Sequence, residues 1–283
     1  MAPAASPTLR QRELAARLRR LRLENGMSVA EVAERLMISP TKVSRLETAS
    51  RTPQLRDVRD LCALYGVSPE IVEDLLALAR GARERGWWQS YELPPETNTF
   101  VGLEASAASL RIFELGLVPG LLQTETYAEA VLRAMTPMFP GVNMKPFVGA
   151  RSERQQRLLG STGPDLWFVV DEGALRRNIG GPAVMRDQLA ALGQALEYSN
   201  VTIQVMPLAN GAHPGMQTNF VIIELAPDIT GDVVYLEGLE GFHFLERAED
   251  LKRFRTAFDR LRAAADSPDR TRDWLTRLSE SIA

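Results

Sequence analysis

Apolar positions near the start of the chain recur every three to four places, the spacing of helices with one buried face. Leu14, Leu18 and Leu21 form such a stripe inside LRQRELAARLRRLRLENG, ringed by Arg12, Arg17, Arg19, Arg20 and Arg22. Asn25-Gly26 follows, where a helix C-cap is expected. Ser28 stands three places before Glu31, the spacing of a capping box, and opens a short helix whose inner face is Val29, Val32, Ala33 and Leu36. The connection Met37-Ile38-Ser39 leads into PTKVSRLE, with Ser39 as N-cap and Pro40 at the first helical position. Val43 and Leu46 turn inward there, leaving Thr41, Lys42, Ser44 and Arg45 on the outer face. Leu55, Val58, Leu61, Cys62 and Leu64 predict a fourth helix ending at Tyr65-Gly66, and Ser68-Pro69 starts a fifth carrying Ile71, Val72, Leu75, Leu76 and Leu78. Two short helices on a three-residue turn, inside a five-helix cluster, make a helix-turn-helix.

Beyond residue 82 the pattern changes. A charged, glycine-spaced tail runs to Gly86, Trp87 and Trp88 follow, and Leu93-Pro94-Pro95 interrupts any helix. The expected organisation is a disordered leader over 1–8, a DNA-binding domain over 9–82 and an effector and dimerisation domain over 87–283. In the second domain, residues 103–114, 124–135, 146–159, 172–177, 185–197 and 248–265 read as helices. Strands are expected over 166–171 (LWFVVD), 201–206 (VTIQVM), 220–225 (FVIIEL) and 233–237 (VVYLE). The predicted fold class is α+β, mainly α, with a five-helix helix-turn-helix head ahead of a larger α+β domain.

Charge sharpens this division. The net charge of −3 argues against a nucleic-acid partner until it is split. Residues 1–60 hold 12 Lys and Arg against 7 Asp and Glu, a surplus of five, and the remainder holds 21 against 29. A basic end on an acidic body is the asymmetry of a nucleic-acid-binding module attached to something else. The chain is 45% hydrophobic, yet no apolar run reaches the roughly 18–20 residues of a membrane span. MAPAASPTL lacks the basic and apolar regions of a signal peptide. One cysteine and two histidines exclude an internal disulfide and argue against a zinc site. The expectation is a cytoplasmic, nucleoid-associated protein with no membrane partner, no cofactor and no metal.

The segment GMSVAEVAERLMISPTKVSRLETASRTPQLRDVRDLCALYGVS resembles the lambda-repressor/Xre DNA-binding domains. Helix lengths, Ala33, the turn, the Ser-x-Leu-Glu end and the Tyr-Gly fall in register, and the one departure is Ala49, where the family usually has glycine. The resemblance implies that the N-terminal half of the second helix of the pair enters the major groove. Pro40, Thr41, Lys42 and Arg45 then approach base edges, Lys42 and Arg45 as donors to guanine acceptors and Thr41 toward a thymine methyl or a phosphate. Ser28, Ser39, Ser44, Arg51 and Thr52 complete the expected DNA-binding set, several of them where the family touches the backbone. It also implies an ion pair between Arg22 and Glu47.

The body, through GWWQSY, LEASAASLRIFELGLVPGLLQTETYAEAVL, RSERQQRLL, VVDEGALRRNIGG and NVTIQVMPLANGAHPGMQTNFVIIEL, resembles an actinobacterial domain of unknown biochemical function. That domain follows an Xre-type module in WhiJ-like, antitoxin-like regulators of Streptomyces and its relatives. The resemblance implies a transcriptional regulator, often encoded beside a small partner protein. A homodimeric repressor reading an inverted repeat of double-stranded DNA is the leading expectation. The alternative is an antitoxin that neutralises a small cognate protein and autoregulates its operon.

No catalytic residues are expected. The body has no glycine-rich phosphate loop, no G-x-S-x-G elbow and no H-E-x-x-H. Asp171-Glu172 after a strand reads as an N-cap and first helical turn. Trp87, Trp88, Gln123, Tyr127, Arg151, Arg154, Glu172, Arg176 and His213 are the candidates for a ligand or partner surface.

Overall fold

The computed structural model describes residues 7–138, 145–225, 231–239 and 241–282, and it divides into two compact units. The first comprises Met1–Ser90 with Asn98–Ser106 and Ala226–Thr230; the second comprises Tyr91–Thr97, Ala107–Leu225 and Gly231–Ala283.

Five helices, α1 (Pro7–Glu24), α2 (Val29–Arg35), α3 (Pro40–Glu47), α4 (Leu55–Tyr65) and α5 (Pro69–Gly81), build the first unit. Pro7 and Thr8 belong to α1 rather than to a leader, and 1–6 lie outside the described residues. The stripes read from the sequence meet in one core: Leu14 and Leu18 from α1, Val32 and Ala33 from α2, Val43 and Leu46 from α3, Val58, Leu61, Cys62 and Tyr65 from α4, and Leu75, Leu76 and Ala79 from α5. The caps fall where local chemistry puts them. Ser28 and Glu31 form both arms of the capping box, the Ser39 hydroxyl accepts from Lys42 N, and Gly66 closes α4 in the left-handed region that an unbranched glycine tolerates. A sixth helix, α6 (Pro95–Glu104), starts at the prolines that were read only as a break, because proline suits a first helical turn. Its Gly102 lies so close to Thr8 and Trp88 that a Cβ there would overlap both side chains.

The second unit is built on a six-stranded mixed sheet in the order β3-β2-β1-β4-β5-β6, from β1 (Ala107–Glu114), β2 (Asp165–Asp171), β3 (Val201–Met206), β4 (Phe220–Leu225), β5 (Val233–Gly238) and β6 (Gly241–Leu245). β1, β2 and β3 run parallel, with Ile112 opposite Phe168 and Phe168 opposite Ile203, whereas β4, β5 and β6 continue antiparallel from β1. The parallel strands need long crossovers. These are α7 (Glu125–Met135) with α8 (Lys145–Leu158), then α9 (Glu172–Arg176) with α10 (Pro182–Ala195). The chain ends in α11 (Ala248–Ala264) and α12 (Pro268–Ser281).

Residues 103–114, expected as one helix, are the end of α6 followed by the central strand β1. The error has a physical source. Phe113, Val169, Met206, Phe220, Ile222 and Val234 pack with Leu251, Phe258 and Leu261 of α11, while Leu110, Ile112, Leu166 and Phe168, which alternate with them, are buried as well. A strand covered on both faces loses the polar alternation that marks a half-buried one. β6 and α12 were also absent from the sequence reading. The outer edge of β3 is closed by chain rather than left open: Val205 N donates to the Thr271 hydroxyl at 3.0 Å and Asp266 N donates to Val205 O at 2.9 Å.

Candidate nucleic-acid interface

The helix-turn-helix is α2, its turn and α3. Met37 takes φ +52° in that turn and is almost fully exposed, so the chain reverses without burying it. Ser39 then caps α3, and Val43, Leu46 and Glu47 go into the unit. Ser39, Pro40, Thr41, Ser44 and Arg45 remain exposed on the N-terminal half and outer side, as do Ser28, Arg51 and Thr52 around it.

The helix is held from behind by an ion pair. Arg22 Nε donates to Glu47 Oε1 at 2.7 Å and Nη2 to Oε2 at 2.9 Å, while Nη1 donates to Met27 O at 2.7 Å. Hydrogen bonding to Glu47 holds the Arg22 guanidinium above its ordinary value against the burial that opposes it. A two-bonded guanidinium–carboxylate pair fixes orientation as well as distance, so α1 sets the angle of α3. Tyr65 lies beside the pair, and burial with the Glu47 charge pushes its phenol up to about 12. Behind α3, Gln11 Nε2 donates to Ala49 O at 2.7 Å, and Ala49 adopts φ +55°.

Lys42 departs from the sequence reading. It is half-buried, and its Nζ donates to Asp57 Oδ1 at 2.6 Å, tying α3 to the first turn of α4. The ammonium assigned to a guanine is thus satisfied within the unit, and Arg45 is the basic side chain left exposed on α3. Asp57 was not singled out in the sequence. Helical spacing would have placed it beside buried Val58 but could not name a partner on another helix.

In the second unit several residues nominated for a surface are interior. Tyr127 is fully buried and its hydroxyl accepts from Val118 N at 3.2 Å. Glu172 is buried between Arg176 at 2.5 Å and Leu208 N at 2.8 Å. Asp171 caps α9 through Gly173 N. His213 has a side chain only 8% exposed; its Nδ1 accepts from Gly215 N at 3.2 Å, which leaves Nε2 to donate to Asp171 Oδ2 at 3.3 Å. Both ring nitrogens are engaged in holding a loop. Trp88, in the first unit, is buried as well, with Trp87 packed edge-on at 5.8 Å. Each carries apolar area or polar bonds that stabilise its own unit, which sequence spacing alone did not reveal. Arg176 stays exposed and lies over the Trp274 ring at 5.7 Å.

Gln123 and Arg151 behave differently. Both line a cavity of about 580 Å³ between α7 and α8, bordered also by Ala128, Val148 and Gln155. Gln123 is buried and spends its amide on Val118 O at 2.7 Å. Loss of solvation, reinforced by Arg154, drives the Arg151 guanidinium down to about 10, with Glu237 opposing. Elsewhere in this unit, burial together with the Glu237 charge pushes the Glu114 carboxyl up to about 8, so it holds its proton at neutral pH.

No helix among the described residues is long and apolar enough to cross a membrane. No group of three or more His, Cys, Asp or Glu among them is arranged to hold a metal ion. Compared with known proteins, residues 13–75 match a helix-turn-helix domain family, and residues 97–277 match a domain of unknown function, DUF5753. No curated protein and no solved structure matches the chain. The helix-turn-helix match, on the geometry of α2 and α3, marks a DNA-binding regulator. Since the second match spans more than half of its length, the chain belongs to the DUF5753 family, with a helix-turn-helix domain at its N-terminal end.

Proposed function

We propose that the chain is a sequence-specific transcriptional repressor that binds an inverted repeat as a homodimer. Its second unit supplies dimerisation and takes up a small ligand or partner protein that modulates DNA binding, without catalysing a reaction. The observation that carries this reading is α3. Ser39 caps it, the Arg22–Glu47 pair fixes it from behind, and Pro40, Thr41, Ser44 and Arg45 face outward.

Arg45 is then the base-reading donor, and Thr41 contacts a thymine methyl or a phosphate. Ser28, Ser44, Arg51 and Thr52 hold the backbone, setting register and salt dependence rather than sequence. Lys42 acts through Asp57 as a positioning residue for α3. Half-sites one helical turn apart fit a two-fold dimer of such heads.

Footprinting of bound sites across the genome with the full chain identifies the operator, and fluorescence anisotropy on that operator tests the assignment. A good side-chain-to-base contact is worth about 1–3 kcal/mol, so Arg45→Ala weakens operator binding by roughly 5- to 150-fold while binding to unrelated duplex changes far less. Operator affinity unchanged within about twofold would remove α3 as the reading element.

A further inference from the structure

Several arginines of the second unit have a carboxylate partner, among them Arg111 with Asp165, Arg157 with Glu153, Arg176 with Glu172, Arg255 with Asp232 and Arg272 with Glu197. Arg151 does not follow the pattern. Its Nε and Nη1 are shielded from solvent, and neither has an acceptor among the described residues. On the same cavity, the Gln123 Oε1 atom is shielded and has no donor among the described residues.

The two orphans belong to residues that line one cavity. Arg151 and Gln155 are one turn apart on α8 and so share a face. Gln155 Nε2 donates to Gln123 O at 2.8 Å and to Leu121 O at 3.1 Å, which holds that face against the Gln123 turn. A desolvated guanidinium edge without an acceptor and a desolvated carbonyl without a donor are both costly to keep. A bound molecule that carries an anion and a hydrogen-bond donor side by side satisfies both together.

The remaining lining limits what that molecule is. Glu125 and Glu129 of α7 stand at the exposed rim and favour a positively charged donor. Val148 gives an apolar contact, and the cavity of about 580 Å³ falls within the ~300–1,000 Å³ of small-molecule sites. We propose that the cavity between α7 and α8 binds a free α-amino acid, its carboxylate on Arg151 and its ammonium on Gln123 Oε1, with the acidic rim beyond. Carboxylate recognition by a guanidinium is directional as well as electrostatic, so the carboxylate sets the pose and the side chain lies along Val148. This deepens the regulatory reading above and rests on the second unit being the sensing part.

The test is calorimetric titration of the full chain, without DNA, with each standard α-amino acid, with the corresponding α-amino acid amides, and with acetate. The expected result is saturable binding of at least one amino acid, with its amide and acetate each weaker by about tenfold or more. Arg151→Gln weakens that binding by about tenfold or more, and Gln123→Leu weakens it several-fold. Val148→Trp, which fills the cavity without altering a polar group, abolishes binding and keeps the proposal testable should Arg151→Gln fail to fold. Silence across all the amino acids overturns the proposal, as does an amide or acetate that binds equally well, or binding that survives Val148→Trp. Because no DNA is present, such failure leaves the DNA-binding reading intact, and an inert Arg45→Ala would leave this one intact.

Discussion

Replacing Glu47 by glutamine keeps the side chain's size and removes the charge to which Arg22 donates twice. The amide can still accept one of the two bonds, but its NH₂ then faces the other guanidinium N–H, donor against donor. Arg22 then keeps that one bond and its third, to Met27 O at 2.7 Å. The two side chains are 10% and 6% exposed, so water does little to screen the loss. Removing one partner of a buried pair costs about 3–5 kcal/mol. The surviving bonds put Glu47→Gln at the lower end, about 3 kcal/mol or roughly 150-fold in the opening equilibrium. A chain of two compact units gives no single two-state midpoint, so the measurement is native-state hydrogen exchange on the full chain, following the amides of α1 and α3. These should exchange roughly 150-fold faster. The double variant Arg22→Met/Glu47→Leu removes both charges and should return to within about 1 kcal/mol of the parent, because the cost lies in the stranded charge rather than in the absence of a pair. Acceleration of less than about fivefold in Glu47→Gln, or a double variant as impaired as the two single variants combined, would refute this account of what holds α3.

Other consequences can be measured on the same protein. Ala49→Gly should stabilise the first unit by about 0.5 kcal/mol, since relief of an alanine at φ +55° outweighs glycine's extra freedom when unfolded; slower exchange of α3 amides is the readout, and faster exchange would contradict it. Tyr65→Phe removes a buried hydroxyl with no hydrogen-bond partner among the described residues and should leave those amides unchanged or protect them by up to about 1 kcal/mol. The Glu114 carboxyl, raised in the folded chain to about 8 from about 4.3 unfolded, binds its proton more tightly when folded. Its contribution is therefore fully present below about pH 4 and lost as pH rises to about 8. Glu114→Gln should match the parent near pH 4 and exceed it on the order of 2 kcal/mol near pH 9, the figure being reduced for partial solvation; hydrogen-exchange protection of the β1 amides that stays parallel between the two proteins across this range would sink this reading.

The helical head was readable because its signals are local. Ser28 with Glu31, Ser39 with Pro40, and Gly66 after Tyr65 each fix a helix end within a few residues, and the apolar stripes between them meet in a single core. The pairing of Lys42 with Asp57 was not readable, since the two residues lie on different helices and neither pattern points to the other. β1 was misread because burial on both faces erased its alternation, and α12 was missed although Thr271, Leu275 and Leu278 are buried at helical spacing. In the second unit, residue type singled out Gln123 and Arg151 together with Tyr127 and His213. What separates the first two from the others is whether each polar atom finds a partner, and that depends on neighbours far away in the chain.

Gly102 packs against Thr8 and Trp88, and Asn98–Ser106 belongs to the same compact unit as the five helices. The head is therefore assembled from more than one stretch of chain. During synthesis α1 to α5 leave the ribosome well before the segment that Thr8 and Trp88 pack against, so the DNA-reading unit reaches its final form only after translation has passed Ser106. A fragment cut at residue 82 stays in that earlier state, while one extended to Ser106 carries the segment with it.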